Sequence, residues 1–528
     1  MALPVMTVFS FVFQPAGEVW QHLADTVLQD YIINSLILML GVGAGVLLLG
    51  VSGAWVVTTC DFPGRRLFEW ALLLPLAIPA YIIAYTYTGM LDFAGPVQTA
   101  LREWFGWGYG DYWFPEIRSL WGAVVMLSLV LYPYVYLLAR AAFLEQSVCV
   151  LEVSRTLGAS PLRTFFRVAL PLARPAVITG LSLALMETLA DYGTVQYFGV
   201  STFTTGIFRT WFGLGDSAAA AQLSALLMTF VFVLVLIERW SRRQARYHHT
   251  SGRYRSLPRH RLRGWRMWVG LAVCLVPLAF GFLLPAGQLL AWALARAGEI
   301  FDAGFLLLAW HSLMLAVAAS VIALLLGLFM AYGRRLHDHW AVAGAVRVAG
   351  MGYAVPGTVI AVGVLIPFAW LDNSLDAWMR ARFGISTGLL LSGTLAALLF
   401  AYTVRFLAVS LQTVEAGLAK IRPSIDDTAR SLGRRPLDVL RELHLPLMRG
   451  SLLTALLLVF VDVLKELPAT LILRPFNFNT LAVRAYELAS DERLADASGA
   501  SLAIVAAGII PVILLSRSIR HSRPGHGG

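Results

Sequence analysis

Long apolar segments recur along this chain, and they restrict its fold more than any other feature of the sequence. An α-helix needs about 20 apolar residues to cross a bilayer, and stretches of this kind occur throughout the 528 residues. Only 14% of the residues are charged, whereas a soluble domain carries about 25%. We therefore predict an all-α, polytopic membrane protein.

The apolar pattern predicts about 12 transmembrane helices, of which 11 are clear. The apolar segment Met1–Phe13 could be the end of the twelfth span, because Pro15-Ala16-Gly17 matches Pro285-Ala286-Gly287 at the end of a clear span. A cleaved signal peptide is less consistent with this segment, since no basic residues precede it. The clear spans lie near residues 31–57, 67–91, 119–140, 175–191, 217–238, 267–293, 305–332, 344–370, 387–411, 450–467 and 496–516.

The positive charge of the chain is concentrated in one segment. Residues 239–266 contain ten Arg, no Lys and no acidic residue, and they lie between two apolar spans. Alternate connections carry roughly three times as many Lys and Arg as the others, which assigns them to the cytoplasm by the positive-inside rule. The net charge of +10 therefore indicates membrane topology and not nucleic-acid binding.

Two polar segments repeat each other at a fixed separation along the chain. The run from Arg155 through Gly158 to Pro171 matches the run from Arg430 through Gly433 to Pro446. We call the separation between Arg155 and Arg430 the repeat offset. This offset, together with matches between the spans, predicts two parallel halves. The predicted organisation is a first half at 1–238 (core 31–238), a cytoplasmic linker at 239–266, a second half at 267–516 (core 305–516) and a tail at 517–528.

Each repeated segment has the pattern of a short helix, a Gly break and a second short helix. Gly158 and Gly433 suit a helix C-terminus or a tight turn, and a Pro three residues later suits the first turn of the next helix. We expect the Leu-Pro pairs ending at Pro171 and Pro446 to close the second helix. Such a unit on the cytoplasmic face can fit a cleft on a soluble partner and transmit movement.

These segments resemble the EAA loops of type I ATP-binding cassette importer permeases. Glu152-Val153-Ser154 and Asp427-Thr428-Ala429 occupy the positions of the motif, although both depart from its letters. Two such loops in one chain resemble the fused form of these permeases. The resemblance implies that the loops contact an ATPase, and the residues that carry it are Glu152, Arg155, Gly158, Pro171, Asp427, Arg430, Gly433 and Pro446.

The resemblance also implies the partners of the chain. A separate dimer of ATP-binding cassette subunits would hydrolyse ATP, and a periplasmic binding protein would deliver the substrate to a permease in the bacterial inner membrane. The chain itself has only Lys420 and Lys465, neither followed by Ser or Thr, so it contains no P-loop. We therefore predict a subunit that is not itself an enzyme and binds no cofactor. A secondary transporter is an alternative, but it does not need the duplicated loops.

Four acidic residues lie in or beside two matching spans. Glu187 and Asp191 are four residues apart, so they share a helix face, and Asp462 and Glu466 match them at the repeat offset. Intramembrane carboxylates usually face a cavity or a partner, and oxygen ligands favour hard cations. They are therefore candidates for a substrate pathway, without a metal site being assigned. The alternative is structural ion pairing, to which Arg209 and Arg484 could contribute.

The resemblance extends to the substrate. Residues 187–211 and 465–493 are similar to ferric-iron permeases of the fused type, which implies Fe(III) as the transported ion. Fused permeases for thiamine and related small cations share this architecture and are the alternative. The aromatic cluster at 104–113 is typical of an interfacial belt, and it could also receive a binding protein.

Overall fold

The computed structural model describes residues 2–15, 17–108, 110–145, 160–243, 259–300, 302–337 and 339–521. Helices dominate these residues, with π-helical turns at Phe165–Ala169, Arg209–Gly213, Ala279–Leu283 and Leu440–His444 and 3-10 turns at Phe11–Phe13, Leu74–Ala77 and Gly352–Ala354. Two short strands, β1 (Cys60–Asp61) and β2 (His260–Arg261), pair in parallel. The helices are α1 (Ala2–Ser10), α2 (Glu18–Thr26), α3 (Leu28–Thr59), α4 (Arg65–Ala71), α5 (Ala80–Leu91), α6 (Pro96–Phe105), α7 (Leu120–Glu145), α8 (Pro161–Thr164), α9 (Leu170–Ala190), α10 (Gly193–Tyr197), α11 (Phe203–Phe208), α12 (Ser217–Arg243), α13 (Trp265–Leu278), α14 (Leu284–Ala295), α15 (Ala297–Ile300), α16 (Ala303–Leu336), α17 (Trp340–Ala349), α18 (Gly357–Phe383), α19 (Leu395–Leu418), α20 (Pro423–Ser431), α21 (Pro436–Val439), α22 (Leu445–Leu464), α23 (Pro468–Leu473), α24 (Leu481–Ser490) and α25 (Leu494–His521).

Ten helical segments among the described residues are long and apolar enough to cross a membrane. Two further pairs of helices qualify only as bent spans: Ala2–Phe13 with Glu18–Thr26, at 89°, and Arg65–Ala77 with Ala80–Phe105, at 91°. The prediction of an all-α polytopic protein is confirmed. The ten segments are Leu28–Thr59, Leu120–Leu144, Phe165–Ala190, Ser217–Trp240, Trp265–Ala295, Ala303–Leu336, Gly357–Phe383, Leu395–Leu418, Pro436–Leu464 and Leu494–Ile513.

The predicted spans 67–91 and 344–370 are each interrupted by a proline, so the former is a bent pair of helices and the latter begins only at Gly357. Pro79 and Pro356 have extended backbone, with ψ of 145° and 141°, and a new helix begins directly after each. Proline lacks a backbone N–H and disfavours helical geometry in the residue before it. The apolar residues on the two sides of each proline therefore belong to different helices, and the second-half span is α18.

The predicted span 387–411 begins too early, because its first residues form a loop. Gly388 and Gly393 have positive φ, and two carboxylates of α18 hold the backbone around them. Asp372 accepts hydrogen bonds from the N–H groups of residues 391 and 392, and Asp376 accepts them from residues 387 and 388. These acceptors satisfy backbone donors that a helix would otherwise pair, so the span α19 begins only at Leu395.

The chain forms two compact units, and each draws on separate parts of the sequence. One unit contains Met1–Gln21, Ile207–Met228 and Ala297–Glu487. The other contains His22–Gly206, Thr229–Arg296 and Leu488–Gly528. Within the former, α1 packs against α18; within the latter, α14 packs against α25.

Each unit is centred on three mutually packed helices, and the two sets match in register. The helices α3, α7 and α9 form one set, and α16, α19 and α22 form the other. In the second set, buried side chains of Leu407, Leu411, Val414 and Met448 belong to one apolar cluster. The duplicated sequence therefore produces a duplicated helical core.

Matching glycines allow close helix contacts in both cores. A Cβ atom on Gly50 would lie 2.7 Å from Cβ of Val135, and one on Gly327 would lie 2.7 Å from Oγ of Ser410. Neither distance is possible for a real side chain, so only glycine permits these approaches. Gly327 follows Gly50 by the repeat offset to within two residues. Small residues of this kind let membrane helices pack closely.

Candidate functional site

The second polar segment contains the helix–Gly–helix arrangement that the sequence predicts. Helix α20 ends in a Schellman motif, in which Gly433 N–H bonds to the Arg430 carbonyl and Arg434 N–H bonds to the Ala429 carbonyl. Gly433 has φ of +78°, which glycine adopts without steric cost. Pro436 is the first residue of α21. The N–H group that proline lacks would have no hydrogen-bond partner within the helix at this position.

One side of this segment faces outward. The side chains of Asp427 and Arg430 are 71% and 60% exposed and lie 3.6 Å apart. Leu432 and Leu437 are also exposed, at 75% and 54%. Exposed leucines beside charged groups are typical of a docking surface. We call Asp427, Arg430, Leu432 and Leu437 the exposed loop face.

The other side is anchored by a buried carboxylate that the sequence analysis missed. Asp426 accepts a 2.7 Å hydrogen bond from Nε of Arg335 and lies 2.7 Å from Nε2 of His444. Burial raises the pKa of Asp426, but the hydrogen bonds from Arg335 and His444 outweigh burial and hold that pKa below its usual value. Asp426 is therefore a charged tie between α20, the end of α16 and the π turn before α22.

Further hydrogen bonds attach the segment to α16. Arg335 donates from its two terminal nitrogens to the backbone carbonyls of Leu418 and Ile421, at 2.7 and 3.0 Å. The Tyr332 hydroxyl donates to the carbonyl of Pro436 at 2.5 Å. Short polar contacts therefore join the end of α16 to the start of α21 and to the connection that precedes α20.

The Leu-Pro pairs do not end a helix, contrary to the sequence expectation. A π-helical turn precedes each pair, at Phe165–Ala169 and Leu440–His444, and the helix continues into the membrane as α9 or α22. The N–H groups of Leu170 and Leu445 each bond to a carbonyl five residues back. The wider turn accommodates the proline ring, which would clash with the carbonyl four residues back in an α-helix. Pro171 and Pro446 therefore lie in the first turns of spans.

Part of the predicted site lies outside the described residues. Glu152, Arg155 and Gly158 of the first polar segment fall between residues 146 and 159, which the structure does not describe. The first segment is described only from residue 160, through α8 and its π turn. The two π turns are separated by the repeat offset, so they extend the repeat to the described end of this segment.

Two of the four predicted pathway carboxylates have the same local role. Asp191 accepts hydrogen bonds from the N–H groups of Thr194 and Val195, at 3.1 and 3.2 Å. Glu466 accepts one from the N–H of Ala469, at 3.1 Å. Each carboxylate thus satisfies free donors at the start of the short helix that follows it, α10 or α23. The internal repeat therefore includes this capping contact.

The two capping carboxylates differ in their further partners. Glu466 also accepts a 2.8 Å hydrogen bond from Nη1 of Arg405, and both side chains are at least 90% buried. The sequence considered Arg484 as a partner in this half, whereas the structure pairs Glu466 with Arg405. The position in α7 that matches Arg405 is Val130, which is buried and apolar.

The other two carboxylates are partly exposed, as Asp191 also is. Asp462 lies 2.8 Å from Nζ of Lys465, and its side chain is 15% exposed. Glu187 is of intermediate burial in the last turns of α9. Among the described residues, no group of three or more His, Cys, Asp or Glu side chains is placed to hold a metal ion.

The family model for the binding-protein-dependent transport system inner membrane component matches the chain twice, at residues 47–247 and 323–525. The chain belongs to this family. It is therefore a multi-pass permease of the inner membrane with two copies of the family domain.

Curated relatives of this permease include fused and single-domain proteins. The Fe(3+)-transport system permease protein FbpB 2 of Haemophilus influenzae is 26% identical over 98% of this chain and 96% of its own length. The ferric transport system permease protein FbpB of Actinobacillus pleuropneumoniae is 24% identical over 89% of this chain and 69% of its length. The molybdenum transport system permease ModB of Escherichia coli K12 is 28% identical over 37% of this chain and 86% of its length.

Proposed function

We propose that this permease is the membrane subunit of an ATP-driven importer that carries ferric iron across the inner membrane. The observation that supports this most strongly is the similarity to the Haemophilus influenzae Fe(3+)-transport permease, which includes 98% of this chain. That similarity spans both family domains and the linker between them. The ModB similarity includes only 37% of the chain, so it supports the common architecture more than a shared substrate.

A separate ATPase dimer supplies the energy in this proposal. The exposed loop face offers two charged and two apolar side chains on one short helical unit, which suits a groove on a soluble partner. Glu152, Arg155 and Gly158 supply the matching contact from the first half. The sequence itself has no P-loop lysine, which is consistent with ATP binding on another chain.

Movement of the ATPase reaches the membrane spans through the inner side of the loop. Asp426 ties α20 to Arg335 at the end of α16, and Tyr332 ties α16 to the start of α21. The π turn at Leu440–His444 joins α21 to α22 without an interruption. A push on the exposed loop face therefore acts on α16 and α22 together.

A periplasmic binding protein delivers the substrate in this proposal. Among the four candidate pathway residues, Asp191 and Glu466 already serve as helix caps. We assign the passing cation to Glu187 and Asp462, which are partly exposed and whose carboxylate oxygens suit a hard cation.

The proposal is tested with the permease, its ATPase and its binding protein reconstituted in proteoliposomes. ATP hydrolysis and uptake of radioactive iron or radioactive thiamine are measured with the iron-loaded and the thiamine-loaded binding protein, respectively. We expect stimulation and uptake only with the iron-loaded form. Stimulation by the thiamine-loaded form alone would keep the importer and overturn the substrate. A full set of intact subunits that shows no ATP-dependent uptake of either compound would overturn the importer itself.

A further inference from the structure

A basic cavity lies on the face that the Arg and Lys distribution assigns to the cytoplasm. Its volume is about 620 Å³, and its lining includes Asp61, Arg65, Arg66, Arg259 and Arg261. All these residues belong to one compact unit. Its described lining contains no residue of the exposed loop face or of the Asp426 anchor, so the cavity is separate from the described part of the site above.

The strand pair β1–β2 builds this cavity from distant parts of the sequence. Cys60 pairs with His260 and Asp61 with Arg261, and Leu262 N–H bonds to the Asp61 carbonyl at 3.0 Å. The pairing fixes the end of the basic linker against the connection between α3 and α4. Arginines from the first half and from the linker therefore line one concave surface.

The lining of the cavity carries more positive than negative charge. Arg65 is buried and is neutralised by Glu69, with which it forms an ion pair, and it also lies 3.8 Å from Asp61. Arg66 and Arg261 are exposed and line the cavity together with Arg259, so arginines outnumber the acidic Asp61 in the described lining. Guanidinium groups bind phosphate oxygens in a bidentate manner and lose little hydration on doing so. The cavity is therefore suited to a phosphate-bearing anion.

Neighbouring aromatic residues indicate that the cavity lies at the level of lipid headgroups. Helix α13 begins four residues after β2, and its Trp265 and Trp268 are 71% and 64% exposed. Leu67, next to Arg66, is 52% exposed. Exposed Trp at the end of a span is typical of the membrane–water interface. A lipid phosphate in that layer reaches the cavity without leaving the bilayer.

We propose that this cavity binds the phosphate of an anionic phospholipid from the cytoplasmic leaflet. Basic pockets beside spans on this side of a membrane recognise such headgroups. The proposal does not depend on the transported substrate, and it goes beyond the importer function. The bound lipid holds the linker against the base of α3 and α4.

The test uses the purified permease in detergent, titrated with phosphatidylglycerol, phosphatidylcholine or inorganic phosphate. Retained lipid is counted by native mass spectrometry, and the thermal midpoint is measured in parallel. The pocket variant is Arg66→Gln with Arg261→Gln. The control is Arg263→Gln with Arg266→Gln, which removes the same charge from exposed linker positions outside the cavity lining.

We expect saturable retention of phosphatidylglycerol over phosphatidylcholine, with affinity reduced roughly tenfold or more in the pocket variant and unchanged within about twofold in the control. An equal loss of phosphatidylglycerol affinity in both variants would mean that the lipid is attracted by the general positive charge of the linker, which would overturn the proposal. Retention of phosphatidylcholine equal to that of phosphatidylglycerol would also overturn it. So would a thermal shift that inorganic phosphate alone reproduces. Should the double variant not fold, Arg261→Gln alone carries the same comparison, with roughly a fivefold loss expected.

Discussion

Asp426 and Arg335 are 91 residues apart in the sequence, yet they form a 2.7 Å hydrogen-bonded ion pair that joins the second polar segment to a membrane span. Replacing Asp426 with Asn removes the charge and leaves Arg335 partly buried without its partner, which costs about 2 kcal/mol. We expect amide hydrogen exchange in α20 of the isolated permease to accelerate at least about tenfold. Mass spectrometry of the loop peptides measures this.

The matched control for this substitution is the neighbouring residue. Asp427 is 71% exposed and pairs with Arg430 only at 3.6 Å, so Asp427→Asn removes the same charge at little structural cost. We expect unchanged exchange in the isolated permease and weaker ATPase binding. Equal exchange in the two variants would contradict the anchoring role of Asp426.

The left-handed conformation of Gly433 predicts a loss of coupling on substitution. Gly433→Val forces a β-branched residue to φ of +78°, although no atom would clash with its Cβ. The conformation alone costs roughly 1–2 kcal/mol, and the loop relaxes away from it. We expect ATP-driven uptake to be abolished while the permease remains in the membrane.

Two variants separate the effect of conformation from the effect of side-chain size. Gly433→Asn should retain most uptake, because Asn tolerates the left-handed region. Gly450→Val adds the same side chain to an open position within α22 and should retain uptake as well. We expect Gly158→Val to behave as Gly433→Val does. Normal uptake in both the Gly158 and Gly433 variants would falsify the coupling role of these loops.

The buried pair of Arg405 and Glu466 leaves no room beside Gly357. A Cβ atom on Gly357 would overlap both the guanidinium and the carboxylate. Ala normally stabilises a helix relative to Gly by up to about 1 kcal/mol, but Gly357→Ala should instead lower the thermal midpoint of the permease by several degrees, since the pair must separate. Gly344→Ala in α17 meets no atom within 4 Å and should leave the midpoint unchanged or raise it.

The four pathway carboxylates should divide into two classes. Asp191→Ala removes the acceptor for the α10 donors, so we expect a lower thermal midpoint but an uptake rate within about threefold of normal. Glu187→Gln and Asp462→Asn should keep the midpoint and reduce iron uptake at least about tenfold, because a neutral group binds a passing cation weakly. Midpoints and initial uptake rates in proteoliposomes distinguish the classes. If the Asp191 variant instead lost uptake while the Glu187 and Asp462 variants lost thermal stability, the assignments of capping and cation-binding residues would be exchanged.

Sequence patterns were sufficient to predict most of the spans, the repeat and the turn at Gly433. The length of an apolar run and a Gly followed by a Pro depend on neighbouring residues alone. The fixed offset is found by comparing the two halves of the sequence. The breaks at Pro79 and Pro356 were not predicted. Their flanks are equally apolar, so composition does not distinguish one broken helix from one straight span.

The Asp426 anchor could not be found by comparing the halves. The positions that match Asp426 and His444 in the first half are Leu151 and Ala169, and a search for repeated residues passes over both. The β1–β2 contact is similarly hidden, because two short strands that pair across most of one half leave no periodic signal. Contacts between distant segments depend on how the folded helices pack, and a local sequence pattern does not specify that packing.

Arg405 has no counterpart in the first half, where Val130 occupies the matching position. An importer built from two copies of one separate subunit would carry this arginine twice or would lack it. Joining the halves in one polypeptide removes that constraint, since each position can then mutate by itself. The two capping carboxylates have thereby come to differ in charge environment, because Glu466 has an arginine counter-charge from α19 while the matching position in α7 is the apolar Val130.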